Sequence, residues 1–188
     1  WILKCDVKKF FASIDHKILT EVLKYNKLDK EVIWLLDKVI ESFNSTEIGK
    51  GLPLGNLTSQ LLVNVYMNEF DQYVKHRLHQ KYYIRYADDF VIMSQNKEEL
   101  ENILIQINFF LKNNLSLNLH PNKIFIKTLS SGVDFLGWVH FPDHRVLRTV
   151  TKRRMLKNLK DSSSAETMQS YIGLLKHGNT HKLISKIL

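Results

Sequence analysis

An α+β fold, antiparallel strands backed by helices, is predicted by three features of the chain. Two runs of aromatic and β-branched residues, 82–87 and 90–93, flank the adjacent pair Asp88-Asp89 in the manner of a β-hairpin. Longer stretches, 57–79 and 97–113, repeat their apolar positions at helical spacing. Further short strand-like runs, 2–7, 124–127 and 133–141, fall between the helices, which is the layered α+β arrangement.

The elements follow in order. Residues 2–7 read as a strand with Asp6 near its C-terminal end, and Lys8 onward turns into a helical pattern carried by Ile18, Leu19, Val22 and Leu23, giving a helix over 16–25. A second helix covers 29–43, opened by Asp29 as N-cap ahead of Val32, Ile33, Leu35, Leu36, Val39 and Ile40. Gly51, Pro53 and Gly55 break regular structure before a long helix from Leu57 to residue 79, which becomes basic at Lys75, His76 and Arg77. The acidic hairpin comes next, with Asp88 and Asp89 at its tip. The helix over 97–113 has Asn96 as its cap and Leu100, Ile103, Leu104, Ile107 and Leu111 facing inward. Near Asp143 the text turns basic and helical: 149–160 reads as one helix, Ser162-Ser163-Ser164 as a loop and 165–177 as the next helix. One substantial core over 1–141 and a smaller helical appendage over 142–188 are expected.

Bulk composition narrows the function classes. With 188 residues, 44% of them hydrophobic, the chain can bury such a core. A net charge of +8 and a pI near 9.5 favour phosphate backbones as partners, although basic character alone fits a membrane surface equally. The single cysteine, Cys5, excludes an internal disulfide and a cysteine-rich zinc site, and its strand position suggests packing. No Ser-His-Asp arrangement or Gly-x-x-x-x-Gly-Lys loop is present. No apolar stretch is long enough to span a bilayer and no signal peptide is visible, so a membrane partner is not expected and a cytoplasmic setting is.

The chemistry lies in carboxylates. Two adjacent acids in a hairpin repel each other, and a turn requires neither, though Asp is also a common turn residue. Hard oxygen ligands suit Mg²⁺. Asp6, at a strand end, would add a third carboxylate, the layout for two metals about 3.5–4 Å apart in an in-line phosphoryl displacement. A helix N-cap is the competing reading of Asp6. In 149–160, Arg153, Lys157 and Lys160 recur at helical spacing beside Lys152 and Arg154, a stripe suited to duplex phosphates or to plain solvation.

Four segments together carry a family resemblance: Asp6-Val7-Lys8-Lys9-Phe10-Phe11, Gly51-Leu52-Pro53-Leu54-Gly55 with Ser59-Gln60, Tyr86-Ala87-Asp88-Asp89, and Val133-Asp134-Phe135-Leu136-Gly137-Trp138. In order and spacing they resemble the consecutive palm motifs of reverse transcriptases, of the bacterial group-II-intron-like branch. Gly55-Asn56-Leu57-Thr58-Ser59-Gln60 is most similar to reverse transcriptases of diversity-generating retroelements. Group II intron and retron enzymes usually carry Pro-Gln-Gly and Ser-Pro where this chain has Pro53-Leu54-Gly55 and Ser59-Gln60. The Tyr-Ala-Asp-Asp tip departs from the Tyr-Met-Asp-Asp of many retroelement members.

The resemblance implies a right-hand polymerase palm over 1–141 and a partial helical thumb over 142–188. It implies RNA-directed DNA polymerase activity on an RNA template with a DNA or RNA primer and dNTPs. Two Mg²⁺ ions, or Mn²⁺ in their place, would be held by Asp6, Asp88, Asp89 and the Val7 carbonyl. Phe11 would be the steric gate against a 2′-hydroxyl, with core packing beside Phe10 as the alternative. Leu54 and Gly55 would face the nascent base pair, Gln60 would join them in binding the nucleotide, and an aliphatic residue at Leu54 accompanies error-prone copying of adenines. Lys123 matches a basic position at the pyrophosphate leaving group, and is otherwise a surface lysine after a Pro-Asn turn. Phe135, Leu136 and Gly137 match the primer grip; Lys152, Arg153, Arg154, Lys157 and Lys160 fall where the thumb meets nucleic acid. The branch also implies a small basic accessory protein and a bacterial or phage origin.

Two alternatives stay open: a retron, group II intron or phage-defence enzyme, and a non-catalytic RNA-binding scaffold on the same palm. Trp1 stands five residues ahead of Asp6 where the family has a fingers region, and Leu188 falls in helical text. A fragment with its fingers largely missing, weak or inactive by itself, is therefore expected.

Overall fold

The computed structural model describes residues 1–25, 28–161 and 164–185. It divides into two compact units, Trp1–Ile126 and Lys127–Leu188.

The first unit opens with β1 (Ile2–Asp6), the short helix α1 (Phe10–Ser13), α2 (His16–Tyr25) and α3 (Lys30–Glu41). After the Gly-Pro loop, α4 (Leu57–Gln72) runs on as a wider π-helical turn, Tyr73–Arg77. The hairpin β2 (Tyr83–Tyr86) and β3 (Asp89–Met93) follows, then α5 (Lys97–Leu115), a 3₁₀ turn at Pro121–Lys123 and β4 (Phe125–Lys127). The sheet order is β2-β3-β1-β4, with β3 antiparallel to both β1 and β2.

Strand alternation assigns the two faces of this sheet. Leu3 lies opposite Ile92 and Cys5 opposite Phe90, and all four are fully buried in the main core. That core includes Tyr66, Met67 and Phe70 of α4 and Ile103, Ile107 and Leu111 of α5. Phe70 is its hub, with ring centroids 5.0 Å from Phe90 and 6.0 Å from Tyr83. The Tyr66 hydroxyl donates to the Leu115 carbonyl at 2.7 Å, satisfying a buried acceptor at the end of α5. The opposite face carries Lys4 and Asp6 of β1 and Asp89 of β3. One side of β1 thus packs into the main core, while the other carries charge at Lys4 and Asp6 beside the buried Ile2.

Capping explains two helix starts differently. Asn96 accepts from the Glu98 N–H at 2.8 Å, as expected of a cap. Asp29 occupies the cap position of α3 without a side-chain capping bond. Of the inward set on α5, Leu104 is only partly buried, while Leu115, two residues beyond the expected end, is fully buried.

The second unit is an antiparallel meander, β5 (Val133–Phe135), β6 (Trp138–His140) and β7 (Arg145–Leu147), followed by α6 (Thr149–Asp161), α7 (Ala165–Leu175) and α8 (His181–Ile184). Its own core gathers Trp138, Leu147, Met155, Leu175 and Leu183. Three corrections belong here. The run 133–141 is a hairpin rather than one strand, because Leu136 and Gly137 both take positive φ (52° and 82°), the condition for a two-residue turn. Arg145–Leu147 is a strand, where basic text suggested the approach to a helix. The compact units divide at Ile126–Lys127, so the hairpin expected to close the first core belongs to the second unit. Of the serine loop, Ser162 and Ser163 lie outside the described residues, while Ser164 caps α7 by accepting from the Thr167 N–H at 3.2 Å.

Candidate active site

Antiparallel register does what the sequence motif alone only implied. Asp6 and Asp89 are direct cross-strand partners on β1 and β3. Tyr86 pairs with Asp89, so the hairpin tip is Ala87-Asp88. Asp89 is thus the first residue of β3 and not part of the tip. Ala87 holds φ at 53°, a left-handed conformation that costs a non-glycine residue about 1–2 kcal/mol. The turn is fastened to β1 because the Val7 N–H donates to the Asp88 carbonyl at 3.2 Å. Val7 itself is buried and bridges Leu119. Asp6, Val7, Asp88 and Asp89 are therefore gathered by backbone geometry.

Two lysines compensate part of this charge. Lys123, from the 3₁₀ turn, places Nζ 2.9 Å from Asp6 Oδ2, with 55% of its side chain exposed. That hydrogen bond holds its ammonium above the ordinary lysine range. Lys4 reaches diagonally across the sheet to Asp89 Oδ2 at 3.0 Å, and here both side chains are largely buried, at 14% and 21% exposure. Lys4 was not foreseen, although period-two alternation puts it on the face of Asp6.

Negative charge still exceeds what the lysines neutralise. Burial is the largest influence raising the Asp88 carboxyl above its usual range, with the neighbouring Asp6 adding to it. Burial likewise raises Asp89, against the lowering effect of Lys4 and with Asp6 and Asp88 pushing the same way. Asp89 Oδ1 is buried with no hydrogen-bond partner. Burial, with Asp89 as a lesser contributor, pushes the Cys5 thiol up to about 12, so Cys5 packs and does not act as a nucleophile.

A hard divalent cation fits this donor set: clustered carboxylates, of which burial raises Asp88 and Asp89, and one orphaned buried oxygen. Asp6, Asp88 and Asp89 would hold it. Among the described residues, however, no group of three or more His, Cys, Asp or Glu side chains stands as a ready-made cage, contrary to the expected convergence. Asp6 and Asp89 each place one oxygen on an ammonium group, those of Lys123 and Lys4.

Around this centre, a cavity of about 430 Å³ is lined by Phe11, Gln60, Val63, Asn64, Arg85, Tyr86 and Ala87. It brings two foreseen residues, Phe11 and Gln60, to one space. Phe11 is partly buried and packs edge-on against the buried Phe10, centroids 5.5 Å apart. Leu54, 78% exposed, and Gly55, with φ 89°, stand in the loop before α4. In the second unit, Phe135 is buried while Leu136 and Gly137 form the β5–β6 turn. Lys152, Arg153, Arg154, Lys157 and Lys160 are all exposed on α6, and the buried Met155 points to that unit's core.

Arg85 and Asp71 are further residues that sequence reasoning passed over. The Arg85 side chain is 8% exposed; Nε and Nη2 donate to the two carboxylate oxygens of Asp71 on α4, at 2.8 and 2.5 Å. Tyr83 Oη donates to Asp71 Oδ1 at 2.6 Å. Arg85 stands three residues before Asp88, but no spacing rule points from it to Asp71.

Comparison with known proteins accords with this geometry. The profile of the family described as "Reverse transcriptase (RNA-dependent DNA polymerase)" matches residues 1–140. Protein YkfC of Escherichia coli is 27% identical over 79% of this chain and 47% of its own length. The group II intron-encoded protein LtrA of Lactococcus lactis is 25% identical over 82% of the chain and 36% of its own length. The chain thus spans less than half the length of either relative. The solved structure of Candida albicans telomerase, in complex with a fragment of telomeric RNA, superposes with a TM-score of 0.60 at 12% identity, over 85% of this chain and 34% of that one. That likeness concerns the fold, a palm with part of a thumb. With three carboxylates set by the register of its central strands and a family profile running through them, the chain belongs to the reverse transcriptases.

Proposed function

We propose that this chain is the catalytic palm of an RNA-directed DNA polymerase, transferring a nucleotide from a dNTP to a primer 3′-hydroxyl on an RNA template. The observation that carries the reading is the Asp6–Asp89 cross-strand pair with Asp88 in the adjoining turn. Asp6, Asp88 and Asp89 would hold two Mg²⁺ ions, which supply charge neutralisation at the reacting phosphate and activation of the attacking oxygen. The chain's own residues do the rest by placement. Lys123, paired with Asp6 but more than half exposed, can turn to a triphosphate oxygen. Phe11 lines the cavity together with Gln60, where its bulk opposes a 2′-hydroxyl. Leu54 and Gly55 approach the nascent pair, the β5–β6 turn at Phe135, Leu136 and Gly137 serves as primer grip, and the exposed cations of α6 hold backbone phosphates.

The test uses the full-length protein. Asp88→Asn abolishes primer extension while RNA binding, measured by filter retention, persists. If extension is unchanged, the catalytic assignment falls.

The finer reading is error-prone copying within a diversity-generating retroelement, supported by Leu54 and Gln60 at positions where other branches carry Gln and Pro. Leu54 has no side-chain hydrogen bond to offer, so a mispair opposite adenine forfeits less. Leu54→Gln lowers adenine errors in sequenced cDNA; an unaltered error spectrum removes this reading and leaves the polymerase intact. A small basic accessory protein belongs to the same proposal.

A further inference from the structure

The turn that presents Asp88 is gripped through two successive carbonyls. The Asp88 carbonyl accepts from the Val7 N–H. The Ala87 carbonyl accepts from Arg85 Nη1 at 3.0 Å. The rest of that guanidinium is committed to Asp71 through Nε and Nη2, and Tyr83 adds its hydroxyl to the same carboxylate. Tyr83 belongs in turn to the aromatic cluster around Phe70.

We propose that Asp71 and Arg85 form a positioning clamp that ties the Asp88 turn to helix α4 and so sets where Asp88 stands relative to Asp6. The inference rests on the polymerase reading of the site and names residues that act through the turn, not on substrate.

Three observations favour a clamp over an ordinary stabilising ion pair. A residue in left-handed geometry persists only where its surroundings over-determine it, and Ala87 has no glycine-like freedom of its own. Arg85 spends one donor on the carbonyl of that residue rather than directing the whole fork to Asp71. Only a planar, multi-donor cation can serve two acceptors in fixed directions, a task a lysine ammonium on a flexible stem does not perform. Arg85 is also a lining residue of the cavity shared by Phe11 and Gln60, so the clamp borders the space in which the substrate would lie.

The experiment compares Arg85→Lys, Asp71→Asn and wild type in the full-length protein, with Tyr66→Phe as a destabilised control whose lost hydrogen bond goes to Leu115 and not to the turn. Free Mn²⁺ is titrated by electron paramagnetic resonance without nucleotide, and primer extension is resolved into kcat and KM. Arg85→Lys is expected to weaken Mn²⁺ binding about tenfold, the effect typical of losing an outer partner of a ligand. It should lower kcat similarly, with KM for template-primer unchanged and excess Mn²⁺ restoring part of the rate. Tyr66→Phe should keep wild-type Mn²⁺ affinity despite its lower melting temperature. Should Arg85→Lys fail to fold, Asp71→Asn decides, because it keeps a neutral acceptor for both Arg85 and Tyr83. Wild-type Mn²⁺ affinity in the folded variants overturns the clamp while leaving the polymerase standing. A wild-type protein that neither binds Mn²⁺ nor extends a primer overturns the polymerase reading, and the clamp with it.

Discussion

Replacing Lys4 by methionine removes one charge from the centre and nearly conserves volume. Its ammonium is 3.0 Å from Asp89 Oδ2, and neither side chain is more than 21% exposed, so water can replace it only poorly. The other oxygen of Asp89 already lacks a partner. Breaking a buried pair by removing one member costs about 3–5 kcal/mol; protonation of Asp89 offers a partial escape, which puts the expected loss near 3 kcal/mol. For a chain of this length that corresponds to a fall in Tm of about 6–12 °C. Circular dichroism melts at pH 7 with chelator measure it. Adding Mg²⁺ or Mn²⁺ should then stabilise Lys4→Met more than wild type, since the ion takes over the role of the lost ammonium. At a hundredfold excess over Kd, binding contributes about 2.7 kcal/mol. The double variant Lys4→Met/Asp89→Asn should recover most of the loss without metal. A single variant melting within a degree of wild type, or equal stabilisation of both by the divalent ion, would refute this account of the charge balance.

Two further outcomes follow from the same structure. Phe70→Ala empties the hub of the aromatic cluster, where Phe70 is fully buried, and should cost about 3–5 kcal/mol, read as a lower urea midpoint at unchanged slope. Asp88→Asn should raise the stability of the metal-free chain at pH 7. The folded carboxyl titrates above its unfolded value, so its contribution is fully present below about pH 4 and is lost as pH rises through the folded value. The neutral amide should flatten that fall, and a wild-type pH–stability curve in the variant would contradict the assigned burial of charge.

Much of this was legible from residue pattern. The helix over 16–25 and the capping role of Asn96 needed only apolar spacing and one side-chain acceptor. The order of the motifs suggested that Asp6, Asp88 and Asp89 belong together, and the register of β1 on β3 supplies the Asp6–Asp89 pairing. What escaped depends on register and on partners distant in sequence. The Lys4–Asp89 pair is a diagonal contact that exists only once β1 is aligned on β3. Asp71 and Arg85 are fourteen positions apart, on a helix and a strand, with no periodicity relating them. Ala87 carries no sequence signature of a left-handed residue, unlike Gly137 in the β5–β6 turn. Arg145–Leu147 was missed because three residues with one arginine fall below any alternation signal, and pairing with β6 decides their state. The same meander moved the boundary between the units, since its strands share a core with α6 and α7 and not with the helices of the first sheet.

Separate cores also determine what a spectroscopist would see. Trp138 is 7% exposed, packed beneath the Arg145 guanidinium and against Gly178, where an added Cβ would lie only 2.1 Å from the ring. Trp1 and Trp34 are 42% and 63% exposed and already sample solvent. Indole emission therefore shifts to the red chiefly when the C-terminal core opens, whereas melting of the sheet bearing the three aspartates passes almost silently in that channel. Tyrosine near-ultraviolet dichroism, fed by the buried Tyr66 and the half-buried Tyr83, supplies the complementary signal. A fluorescence melt read alone would report the denaturation of the wrong unit of the molecule.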